Sequence, residues 1–104
     1  MDWTSLSNHA ILQEIGKRIK DYRLKRRLTR QELALQAGVS ISTLSQIEKG
    51  NAVSISMLLP ILRVLRLLDN LELLLPEIGI SPVEMLKLKG KQPRRVRNKK
   101  TTKS

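Results

Sequence analysis

Apolar residues recur every three or four positions over most of the chain, and no alternating run argues for a strand. Ile11, Ile15, Ile19 and Tyr22 form one stripe of a first amphipathic helix. Ser7 or Asn8 can cap that helix, which is expected to reach about Arg27. Residues 1–6 precede it as an arm, with Trp3 as a packing anchor. Thr29-Arg30-Gln31-Glu32 is a capping box and opens a short second helix to Ala37, ended by Gly38. Ser40 caps a third helix to about Lys49, stopped by Gly50. Ser54 or Ser56 starts a fourth, to Leu67 or Leu68, in which Pro60 is tolerable near the N-terminal end. Asp69-Asn70-Leu71-Glu72 is a second capping box, expected to open a fifth helix to about Leu75. Ser81-Pro82-Val83-Glu84 signals a short C-terminal helix within 76–88, and 89–104 reads as a disordered basic tail. The body is then 7–75, all-α, with five helices.

The stretch "LTRQELALQAGVSISTLSQIEKGN" joins the second and third helices through "AGVS". Leu33 and Ala37 fall on one side of the second helix, and Leu44 and Ile47 on one side of the third. Val39 fills the turn, Leu28 enters from the preceding loop, and Ala34 is small where two crossing helices approach. Such an apolar wedge with glycine at the bend is the geometry of the helix-turn-helix that reads DNA. Opposite Leu44, Ile47 and Glu48 lie Ser42, Gln46 and Lys49, with Ser45 beside them and Ile41 on the shoulder. This outer face is short, polar and free of acids. Gln46 can pair bidentately with adenine, Ser42 and Ser45 can reach any base edge, and Ile41 can touch a thymine methyl. Arg30 and Lys49, at a helix start and a helix end, suit phosphates.

Charge strengthens this reading. The net charge is +11, from 20 basic and 9 acidic residues. Residues 17–27, "KRIKDYRLKRR", hold seven bases and one acid, and nine bases with no acid follow Glu84. Clustering of this kind favours a polyanionic partner. A solvated helix face and a solubilising tail account for either cluster alone, but poorly for both together with the central motif. There is no Cys, which excludes disulfides and thiolate metal sites and is compatible with a reducing cytosol. The start "MDWTSLSNHA" does not read as a signal peptide, and "MLLPILRVLRLL" is too short and too interrupted to span a membrane. His9, the only histidine, reads as a solvated helix residue. With no glycine-rich phosphate loop and no acid pair beside a base, an enzyme is not expected, nor is a cofactor or metal.

The run "IGKRIKDYRLKRRLTRQELALQAGVSISTLSQIEKGN" resembles the phage-repressor/Cro-like (XRE-type) helix-turn-helix regulators over about residues 15–68. The match includes Leu28-Thr29, Gln31-Glu32-Leu33-Ala34, Ala37-Gly38-Val39-Ser40, Leu44-Ser45 and Ile47-Glu48-Lys49-Gly50. The resemblance implies a five-helix, lambda-repressor-like domain that binds operator DNA as a dimer. It assigns base contacts to Ser40, Ile41, Ser42, Ser45 and Gln46, and phosphate contacts to Arg30, Lys49 and Asn51. It also implies an ion pair between Arg23, late in the first helix, and Glu48, at the end of the third. Many relatives carry arginine or glutamine at several outer positions of the third helix. Here there are serines and one glutamine, so DNA shape is expected to supply part of the specificity.

Large apolar side chains wrap widely around the fourth and fifth helices, from Met57 through Leu75. More are present than one core-facing side can use, and a homodimer through this region is the expected outcome. The stretches "LLDNLELLLPE" and "SPVEMLKLKGK" resemble a subgroup of these regulators encoded beside HipA-like kinase toxins. That implies an autoregulating antitoxin with a kinase-like toxin as a further partner, in the cytoplasm and associated with the nucleoid. Two other readings remain open: a toxin-neutralising interaction module, and a non-specific architectural nucleic-acid binder.

Overall fold

Hydroxyl side chains set the starts of the first three helices. The computed structural model describes residues 1–79 and contains α1 (Asn8–Lys25), α2 (Arg30–Ala37), α3 (Ile41–Glu48), α4 (Ile55–Val64) and α5 (Leu71–Leu74). Single 3-10 turns cover Trp3–Ser5 and Leu68–Asn70. There is no strand among the described residues. Ser7 Oγ accepts from Ala10 N–H at 3.1 Å and caps α1. Thr29 and Glu32 close the expected capping box at α2, with hydrogen bonds of 3.0 and 2.8 Å. Ser40 Oγ accepts from Thr43 N–H at 3.0 Å and caps α3. Ser54 precedes α4 without a side-chain cap.

The helix ends repeat one device. At α2 and α3 the chain turns through glycine in the left-handed region, Gly38 at φ 71° and Gly50 at φ 90°. At α1 and α4 the same turn is made by arginine, Arg27 at φ 58° and Arg66 at φ 62°. In each case the following N–H bonds back five residues, as Leu28 does to Arg23 at 3.1 Å and Leu67 to Leu62 at 2.8 Å. This is the Schellman arrangement. It corrects two sequence boundaries: α1 stops at Lys25 rather than Arg27, and α4 at Val64 rather than Leu67 or Leu68. No glycine marks these ends, so the sequence carries no signal for them. Asp69, expected to cap the fifth helix, lies inside the second 3-10 turn instead, and α5 is a single turn.

The core is Ile19, Leu33, Ala34, Leu44, Ile47, Ile61 and Leu65. Leu28, Ala37, Val39, Val53, Leu58, Val64 and Leu67 pack around it. α3 packs against both α1 and α2, and α4 against α2. The inward side of α1 differs from the expected stripe. Gly16, Ile19 and Arg23 are buried, whereas Ile15 is 36% and Tyr22 41% exposed. Two polar-looking positions win the inner face for steric and electrostatic reasons. Gly16 meets the backbone of α3, and Arg23 meets a carboxylate.

Trp3 is half-buried, and the Arg18 guanidinium sits 4.7 Å from its ring centroid, so the expected arm is a docked turn on α1. Contacts divide the chain into Met1–Leu73 and Leu74–Ser104. Of the second unit only 74–79 are described, with no helix after Leu74, and most of the expected C-terminal helix and the whole basic tail lie outside the described residues.

Candidate nucleic-acid interface

Steric fit and one carboxylate fix the angle of α3. A β-carbon built on Gly16 would overlap the Ile47 carbonyl oxygen and lie 2.9 Å from that of Glu48. The C-terminal turn of α3 therefore rests directly on the α1 backbone. At the same end, Arg23 Nε donates to Glu48 Oε2 at 2.8 Å and Nη2 to Oε1 at 3.2 Å. Arg23 Nη1 donates to the Leu28 carbonyl at 2.9 Å, which ties the loop before α2 to the same group. The Glu48 side chain is only 2% exposed. A buried carboxylate needs such pairing, because desolvation alone would oppose its charge.

Glu48 also takes a second partner, which the sequence did not indicate. Arg30 Nε donates to its Oε1 at 3.0 Å, while the Arg30 side chain remains 45% exposed. Eighteen residues separate the two, and neither helix pattern pairs them. The contact exists only once α2 and α3 are folded against each other.

The outward side of α3 carries Ile41, Ser42 and Gln46, all exposed, with Ser45 half-buried beside them. Lys49 and Asn51 are exposed just beyond its end. Ser40 stands at the entrance, but its hydroxyl is engaged: it accepts from Thr43 N–H and donates to Thr43 Oγ1 at 2.8 Å. The Asn51 side-chain amide donates to Gln46 Oε1. That occupies the carbonyl half of the Gln46 amide and leaves its NH2 group as a donor. No acid lies on this face, since Glu48 is turned inward.

Four ion pairs occur among the described residues, and they use only Lys17, Arg18, Arg23 and Arg30 of the cations. Lys20, Lys25, Arg26, Arg27, Lys49, Arg63 and Arg66 therefore carry charge without an acid partner among those residues. Four of these seven, Lys20, Lys25, Arg26 and Arg27, come from α1 and the turn after it, a local concentration of positive charge of the kind that suits a polyanion. No group of three or more His, Cys, Asp or Glu side chains among the described residues could hold a metal ion. No helix among them is long and apolar enough to cross a membrane.

No curated protein matches the chain. A family model described as helix-turn-helix matches residues 19–69, from the second half of α1 through the turn after α4. That span holds the two helices, the Gly38 turn between them and the paired Arg23 and Glu48. The matched span, nearly half of the chain, is similar to helix-turn-helix domains, which points to a DNA-binding transcription regulator.

Proposed function

We propose that this protein is a sequence-specific repressor that binds operator DNA as a homodimer and, as an antitoxin, controls its own operon. The outer face of α3 carries the reading. It is exposed, small and acid-free, and it projects from a helix whose angle is fixed by Gly16 and by Arg23 with Glu48. Such a helix can sit deep in the major groove. Ile41, Ser42, Ser45 and Gln46 face base edges, with Ser40 at the entrance also serving as the cap. Arg30, Lys49 and Asn51 serve the flanking phosphates.

Exposed apolar residues support the dimer. Leu73 is 82% exposed, and Leu74, Leu75, Ile78, Ile55 and Met57 are also open to solvent. A second copy covering such a surface would place two reading helices about 34 Å apart, one turn of DNA. The same leucines favour a second role, capture of a kinase-like toxin, which the sequence resemblance supports and which is compatible with DNA binding.

The deciding experiment is selection of bound fragments from random duplex DNA by the full chain. A two-fold symmetric motif, enriched over composition-matched DNA, is the expected result. Enrichment that follows charge alone would make the protein a non-specific binder. Loss of toxin binding on substituting Leu73, with binding to a half-site kept, would establish the interaction role separately.

A further inference from the structure

We propose that Glu48 is a positioning residue for DNA: it holds the Arg30 guanidinium by one edge so that its other edge is presented to a backbone phosphate. The inference rests on the DNA-binding reading above and adds to it a role for an acid that does not itself face DNA.

The geometry is specific. Arg30 spends its Nε–H on Glu48 Oε1 at 3.0 Å, and its two terminal NH2 groups make no hydrogen bond among the described residues. A guanidinium offers five donors in a rigid plane, so holding it through Nε fixes where the terminal pair points. Arg30 is the first residue of α2, where the earliest backbone N–H groups have no partner within the helix. The free donors of the side chain and of the backbone belong to one residue and its neighbour.

Charge permits this. Glu48 is already bound by Arg23 through both oxygens, at 2.8 and 3.2 Å, so the three side chains together keep one net positive charge. An arginine tethered before binding loses less rotamer freedom when a phosphate immobilises it. The same carboxylate joins α1 through Arg23, α2 through Arg30 and α3 through its own backbone. Groove depth and phosphate register are therefore set at a single point. A merely structural Glu48 would require the Arg23 contact alone.

The test uses the full chain and a mixed-sequence duplex, with affinity measured across a salt series for the wild type, Arg30→Ala, Glu48→Gln and the double variant. Arg30→Ala is expected to weaken binding about tenfold and to flatten the log–log salt slope by about 0.9, one phosphate contact. In the Glu48→Gln background the same substitution should change affinity by less than about twofold, because a neutral amide with one acceptor oxygen, also wanted by Arg23, no longer holds the clamp. Equal losses in both backgrounds would overturn the inference. If Glu48→Gln fails to fold, nitrogen-15 relaxation of the Arg30 Nε–H in the free wild-type protein decides. A rigid side chain supports the tether, and a freely mobile one overturns it. Wild-type affinity in Arg30→Ala would overturn the inference and leave the DNA reading standing. Absence of duplex binding by the wild type at about 50 mM salt would overturn both.

Discussion

The Ile47 carbonyl oxygen lies against the α-carbon of Gly16, so closely that any β-carbon at position 16 would overlap it. The second neighbour, the Glu48 carbonyl, is also backbone and cannot rotate away. Alanine in a helix interior ordinarily stabilises by up to about 1 kcal/mol relative to glycine. Here the overlap should outweigh that gain. Gly16→Ala is expected to destabilise by about 1–3 kcal/mol, the usual range for overpacking, and to weaken DNA binding by tilting α3. A melting curve at or above the wild-type Tm would show that the two helices can part without cost.

Glu48→Ala leaves Arg23, a buried cation with 5% exposure, without its carboxylate. Breaking one partner of a buried pair costs about 3–5 kcal/mol. For a domain of this size that is a large part of the total, typically about 5–15 kcal/mol. Chemical denaturation should show the loss directly, and operator binding should fall with it. An unchanged midpoint would reduce the pair to a surface contact.

Arg27 and Arg66 hold left-handed backbone conformations that L residues ordinarily avoid. Arg27→Gly and Arg66→Gly should each raise stability by roughly 0.5–1 kcal/mol, after the greater chain entropy of glycine is offset. If Arg27 also faces a phosphate, Arg27→Gly should lower affinity while raising Tm. Denaturant midpoints together with a salt series separate the two effects.

Asn51 holds the Gln46 carbonyl and leaves its NH2 to donate. Gln46 should then favour the N7 or O6 acceptors of a purine, whereas a free amide pairs with adenine through N6 and N7. Asn51→Ala is expected to shift the selected base toward adenine at one position of each half-site. The same base in both selections would mean that Asn51 does not govern the readout.

Leu73→Glu should dissociate the proposed dimer with little change in monomer stability, because the side chain is 82% exposed. Sedimentation at several concentrations reads this, and binding to a full operator should fall more than binding to a half-site. A variant that still sediments as a dimer would move the interface elsewhere.

Much of this molecule was legible before its tertiary structure. The starts of α1, α2 and α3 follow from local chemistry, since Ser7, Thr29 and Ser40 each satisfy an N–H three residues on. The wedge of Leu33, Leu44 and Ile47 follows from periodicity, which places apolar side chains on one side before any partner is known. The acid-free outer face of α3 follows from the same wheel. Three features did not follow, and each depends on residues distant in sequence. Hydropathy assigns the inner face of α1 to Ile15 and Tyr22 beside Ile19, but contact with α3 gives it to Gly16 and Arg23. The ends of α1 and α4 are made by arginines in a glycine conformation, held there by the packing around them. The convergence of Arg23 and Arg30 on Glu48 exists only when three helices meet. Sequence alone determined which residues can cap, pack and point outward. Tertiary structure decided which of them touch, because a close backbone approach and a shared buried charge are properties of the assembled helices.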